Sequence, residues 1–251
     1  IGGTSGGNTP TEPEEPAAGA NNMNEDPCPK ANQIKCKSNC YDPCPEGYNR
    51  NSDCACVKDV CEGLIDQLTQ QGEDSYKEKY DHFLQNLNSS GETGFAQRHN
   101  GEFYDLVQVG DYSLKDMEHL SFGYTHTHTT NYWSPRDINQ VLEMAKTAQL
   151  QGLPLENVYG NIVLNGTLYS LKYRGHFSTI NSIGDLDAAN ETYIEYLRRY
   201  DQPLKAFLKY VELELKNNNF KIYKLNLEDE SFQEIDPNDG QLSTPKSNCN
   251  N

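Results

Sequence analysis

The chain is 251 residues long, 35% hydrophobic and 23% charged, with a formal net charge of −16. So acidic a chain lacks the basic face that phosphate neutralisation requires, which argues against nucleic acid as a partner and against charge-driven docking on an anionic membrane. No apolar run approaches the ~20 residues that a transmembrane segment needs.

Residues 1–27 hold five Gly, four Pro and five acidic residues, with no Lys or Arg. Such a stretch cannot bury enough apolar surface to offset its ordering entropy, so a disordered acidic tether is expected. Seven of the eight cysteines then fall between Cys28 and Cys61, and the eighth is Cys249. No pair of Cys-x2-Cys units suggests zinc knuckles, so residues 28–61 read as a small disulfide-rich module. That reading implies an oxidising compartment: cell surface, periplasm or outside the cell. Seven is an odd number, so either Cys249 pairs with the cluster or two thiols stay free. The stretch Cys44-Pro45-Glu46-Gly47-Tyr48 with Cys54-Ala55-Cys56 resembles the end of an EGF-like hairpin.

Residues 62–227 form the expected main domain. A helical stripe of Leu64, Ile65, Leu68, Tyr76, Tyr80, Phe83, Leu84 and Leu87, broken at Gly72, predicts two short helices or one broken helix. Strands are expected over Gly94–Gln97, Phe103–Val109 and Leu120–Thr127. Pro135–Gln151 has the period of an amphipathic helix, with Ile138, Val141, Leu142, Ala145 and Ala148 on its buried face. Val158–Leu164 and Thr167–Tyr173 flank Asn165-Gly166, a strong hairpin signal. Residues 189–217 read as helical with an interruption near Pro203, and Phe220–Leu225 as a last strand. From Glu228 to the end the chain reads as a second acidic tail, 228–251. The two acidic ends carry −5 each, so the centre is only mildly acidic.

Chemistry concentrates in one stretch, Thr125-His126-Thr127-His128 followed by Ser134-Pro135-Arg136-Asp137. Residues two apart on a strand point to one face, so His126 and His128 converge. Ser at an N-cap and Pro at N1 open a helix, and Asp137 lies in its first turn. The loop between is short enough to return Asp137 to the histidines. Two imidazoles and a carboxylate with an open fourth position make a catalytic zinc site. Each part also has a plain structural role: Ser134 and Asp137 form a capping pattern, and the His-Thr repeat suits a polar strand edge. Trp133, in the loop, suits a shield for the metal, a groove wall or a core plug.

His-x-His followed by Ser-x-x-Asp opening a helix resembles the zinc signature of the JAB/MPN (JAMM) metallopeptidase family. The resemblance extends to Glu92-Thr93-Gly94-Phe95, 34 residues before His126, and covers about residues 90–175. Two departures stand out: Thr129 follows the second His where the family usually has Pro, and the spacer to Ser134 is two residues shorter. The resemblance implies an α/β (α+β) fold, a mixed sheet flanked by helices. It implies Zn2+ held by His126, His128 and Asp137, Glu92 as general base, and Ser134 bonding the oxyanion or water. The implied activity is hydrolysis of an amide or isopeptide bond in a peptide or protein substrate. The alternative keeps the fold without the activity, as a surface subunit of a bacterial envelope or secretion complex. The Tyr-rich second half is similar to JAB-like domains in surface and secreted proteins of Bacteroidetes-type bacteria. The N-terminal tether resembles the linker after the lipidated Cys of a surface lipoprotein, which would place that Cys just before Ile1.

Overall fold

The computed structural model describes residues 29–30, 33–36, 38–45, 48–50, 54–58, 60–70, 72, 74–87, 92–106, 121–128, 131–176, 180, 182–216 and 219–249. The expected tether, Val107–Val109 of the second expected strand and Leu120 lie outside them. The chain divides between Asp42 and Pro43 into two units.

In the first unit, β1 (Ile34–Cys36) and β2 (Asn39–Tyr41) pair antiparallel, with Cys36 opposite Asn39. Asp42 accepts a hydrogen bond from Gln33 Nε2 at 3.0 Å and lies 3.7 Å from Lys30 Nζ. The second unit opens with β3 (Tyr48–Arg50) and β4 (Cys56–Lys58), an antiparallel hairpin stapled by a Cys44–Cys56 disulfide. A further disulfide joins Cys61 to Cys249, 188 residues apart in sequence, so the eighth cysteine pairs with the cluster. Cross-links over so long a loop remove about 5 kcal/mol of unfolded-chain entropy on the loop-closure account. Among the described residues no cysteine is free, the pattern of a protein matured in an oxidising environment.

Helices α1 (Val60–Thr69) and α2 (Tyr76–Gln85) come next, and the Ser75 hydroxyl caps α2 by accepting from Glu78 N–H. Then come β5 (Gly94–Arg98), β6 (Phe103–Asp105), β7 (Ser121–His128), α3 (Pro135–Leu150), β8 (Tyr159–Leu164) and β9 (Thr167–Tyr173). The last elements are α4 (Leu186–Arg199), α5 (Pro203–Tyr210), β10 (Phe220–Asn226) and β11 (Ser231–Glu234). Among the described residues, seven strands form one mixed sheet in the order β11-β10-β9-β8-β7-β5-β6. Only β7 and β8 pair parallel, because α3 crosses between them; the other neighbours are antiparallel. No described helix is long and apolar enough to cross a membrane.

Strand parity divides the core between two faces. On one face Ala96, Tyr124, Ile162, Leu171, Tyr173 and Ile222 pack beneath α3, α4 and α5. On the other, Phe95, Tyr159, Val163, Leu168, Tyr223 and Leu225 pack beneath α1 and α2. Helices therefore cover both sides of the sheet, the mixed α+β fold that was expected. A polar seam crosses the second face. Tyr76 O–H meets Thr125 Oγ1 at 2.8 Å and receives a hydrogen bond from Asn161 Nδ2 at 2.7 Å, pinning α2 to β7 and β8. Burial pushes the Tyr76 phenol far up its titration range, so the hydroxyl stays neutral.

Two expectations need correction. Helix α4 begins at Leu186, three residues before Ala189, because Asp185 caps it by accepting from Asp187 and Ala188 N–H. Residues beyond Glu228 are not simply a tail. Phe232 and Ile235 are buried, β11 extends the sheet, and Phe232 and Ile235 pair with Lys246 and Leu242. The acidic residues stay outside while these apolar ones, with Cys249, fasten the segment down.

Candidate metal centre

Position in the sheet brings the first two groups together. His126 and His128 share a face of β7, toward α3, with Phe122 and Tyr124. The ring of His126 lies between those of Tyr124 and His128, at 5.2 and 4.6 Å between centroids and nearly parallel to both. The close approach of β5 makes room for it. Gly94 pairs with His126, and a Cβ on Gly94 would fall 2.7 Å from the His126 Cβ.

Helix α3 supplies the third group. Ser134 is its N-cap, and a full capping box forms: Asp137 N–H donates to Ser134 Oγ, and Ser134 N–H donates to Asp137 Oδ2 at 2.7 Å. The Ser134 hydroxyl also donates to Asp137 Oδ2, at 2.7 Å. With Oδ2 fixed this way, Oδ1 is turned to His126 Nε2, 3.6 Å away. Tyr124 O–H donates to the Asp137 carbonyl at 3.0 Å and ties the helix start to β7. Trp133 is fully buried, its indole N–H donating to the Gly160 carbonyl at 2.8 Å; it plugs the core and does not wall a groove.

The ligand atoms of His126, His128 and Asp137 lie within 4.8 Å of one another. The edges of the triangle are 2.6 Å between the two Nε2 atoms and 3.6 and 3.5 Å from them to the carboxylate oxygens. Ligands at tetrahedral zinc, with bonds of about 2.0–2.1 Å, stand ~3.3 Å apart, so a cation fits with modest spreading of the imidazoles. Hydrogen-bond roles agree. The His128 Nδ1 faces the Asn131 carbonyl at 2.9 Å, so Nδ1 carries the proton and Nε2 is left for the cation.

Electrostatics set the charge of each group. Burial lowers the His126 pKa to about 4, with Asp137 opposing and His128 adding to the fall. Burial also works downward on His128, but the hydrogen bond and charge of Asp137, helped by Glu92 and the Asn131 carbonyl, raise it above its ordinary value. Burial disfavours ionised Asp137, yet the two imidazoles and the Ser134 hydroxyl hold its carboxyl well below the usual range. The centre therefore offers an ionised carboxylate and a neutral imidazole beside a basic one.

Glu92 lies just before β5. Thr127 N–H donates to the Thr93 carbonyl at 2.9 Å and Thr93 N–H to Thr127 Oγ1 at 3.1 Å, continuing the β5–β7 register past Gly94. Carried one residue further, that register sets Glu92 opposite His128, on the face of the metal centre. Glu92 is half-buried; burial raises its pKa, His128 lowers it and Asp137 raises it again, so it feels both groups. The structure thus brings three expected residues, His126, His128 and Asp137, to one place, with Glu92 close enough to feel their charge. Ser134 stands beside them, its hydroxyl proton already committed to Asp137. Two contributors escape a reading by residue type: Asn131, which acts through its backbone carbonyl, and Tyr124, whose only signal is its shared parity with the histidines. Other histidines stand apart: His82 bonds Asn86 at the C-terminal end of α2, and His99 packs against Phe122. His119 lies outside the described residues.

Compared with protein-family models, curated proteins and solved structures, the chain matches none, so the site is read from its own geometry.

Proposed function

We propose that the protein is a metal-dependent hydrolase of the JAMM type, cleaving an amide or isopeptide bond in a peptide or protein outside the cytoplasm. The observation that carries the reading is the meeting of His126, His128 and Asp137 ligand atoms at the junction of a strand end and a capped helix. Zinc, which suits two imidazoles and one carboxylate, supplies Lewis-acid polarisation of a carbonyl and acidifies water when bound. The chain's own groups do the rest. His128 is held in its ligating tautomer by Asn131, and Asp137 is oriented by Ser134. Glu92, half-buried and electrostatically coupled to the centre, takes a proton from water and returns it to the departing amine. Ser134 acts by positioning Asp137; the oxyanion role implied by resemblance requires its hydroxyl to give up that bond. The disulfides support a place at the cell surface or in the periplasm.

The test is metal content with activity. Purified protein equilibrated with zinc should hold about one equivalent per chain. His126→Ala should remove it, and Glu92→Gln should keep the metal while stopping hydrolysis of peptide and isopeptide substrates. Zinc retained by a protein inert to every such substrate would favour a non-enzymatic subunit of an envelope complex. Absence of binding would falsify the metal reading outright.

A further inference from the structure

At the other end of β7 from the histidines lies a cleft of about 460 Å³, between α1 and the turn joining β5 to β6, with Phe122 at its side. The size is that of a small-molecule site. Its lining is unusual for one: Asp66, Gln67, Gln97, His99 and Asn100 supply amides, a carboxylate and an imidazole, and no Lys or Arg is among the described lining residues. Gln67 is the informative residue. It is only 6% exposed, and neither Nε2 nor Oε1 has a hydrogen-bond partner. Leaving such a group unsatisfied is costly, so its retention at a buried helix position calls for something in the cleft that both donates and accepts.

The neighbours narrow the chemistry. Gln97 is already engaged, accepting from Tyr159 O–H at 3.2 Å and donating to the Gly101 carbonyl at 3.3 Å. Asn100 Oδ1 accepts from Glu102 N–H, which leaves its amide N–H2 as a donor toward a ligand. An apolar ligand would strand the Gln67 amide. A phosphate or carboxylate would find Asp66 and no cationic side chain. A metal ion would find a single carboxylate, too few hard ligands for Ca²⁺ or Mg²⁺. Neutral groups that both donate and accept remain; among them a pair of adjacent hydroxyls spans one amide and brings an apolar ring edge with it. The apolar edge of a sugar ring has Phe122 to rest against. We infer that this cleft binds a neutral saccharide unit, with the Gln67 amide as its central polar contact. The inference is independent of the metal centre.

The test uses the full chain, isotopically labelled, titrated separately with glucose, galactose, mannose and N-acetylglucosamine. At least one sugar should shift the side-chain amide signals of Gln67 and Asn100 in a saturable way and leave the imidazole signals of His126 and His128 in place. Gln67→Leu should weaken that sugar by about tenfold or more while leaving the melting midpoint equal or higher, because an unpaired buried amide is replaced by an apolar group. Gln70→Ala, at the exposed rim of α1, should weaken it severalfold without touching the fold. His126→Ala should leave sugar binding intact. Three results would overturn the inference: no shifts at saturating concentrations of all four sugars, equal binding by Gln67→Leu, or binding of an acetylated amino-acid amide in place of the sugars. In the first case water alone satisfies Gln67.

Discussion

At its C-terminal end β7 presents two imidazoles to the carboxylate of Asp137, whereas at its N-terminal end the same strand lends only the ring of Phe122 to a cleft lined mainly by neutral amides. The first place gathers ionisable groups and holds each by a specific partner: Asn131 for His128, Ser134 for Asp137. The second holds one carboxylate, Asp66, and no cationic side chain among its described lining, and leaves an amide open. The polar cost of burial is met internally in one and by an occupant in the other. A strand can thus carry two chemistries if its neighbours differ, here the N-terminus of α3 against the side of α1.

The sharpest way to break this contrast is to remove both imidazoles. His126→Ala with His128→Ala should take bound zinc from about one equivalent to none, read by elemental analysis, and leave the sheet folded. Glu92→Gln should lower turnover by about 10²–10⁴-fold with zinc retained, the span usual for a positioned general base.

A third prediction concerns Lys172, fully buried behind the amide-lined end, where its Nζ donates to the Glu156 carbonyl at 2.8 Å. Burial lowers its pKa to about 7, with Glu156 and Asp66 opposing. The unfolded chain keeps this lysine protonated to about pH 10, so between pH 7 and 10 it binds more protons than the folded one. Stability should therefore rise with pH across that window, by up to about 4 kcal/mol, and stay flat in this respect below it. Denaturant unfolding of Lys172→Met at several pH values should lose that rise. A smaller effect is expected from Ser134→Ala. Loss of the cap should cost about 1 kcal/mol, and loss of the bond to Asp137 should weaken zinc by ~10–100-fold.

The meeting of the candidate metal ligands was legible because its parts are local. His126, His128, Ser134 and Asp137 lie within twelve residues, and strand parity and helix capping are short-range rules. Glu92 needed more, since its place depends on the pairing of β5 with β7 across 34 residues, which no local periodicity encodes. The hairpin at Asn165-Gly166 was equally readable: both residues take positive φ, and β9 spans the expected residues. The amide cleft was not readable, because α1, the β5–β6 turn and β7 contribute one or two ordinary residues each. The C-terminal strand was hidden for a different reason. Four residues amid acidic neighbours give too short an alternation to stand out, and their burial is decided by the sheet edge that receives them.

The Cys61–Cys249 bridge also has a mechanical meaning. It connects the first turn of α1 to the last described residue of the chain, so both ends of the sheet domain are gathered at one covalent point. Tension applied upstream of Cys61 and downstream of Cys249 runs through sulfur and leaves the strands slack. A protein stretched between an anchor and a cargo would keep its sheet, and the geometry at His126 and His128, undistorted until that bond is reduced.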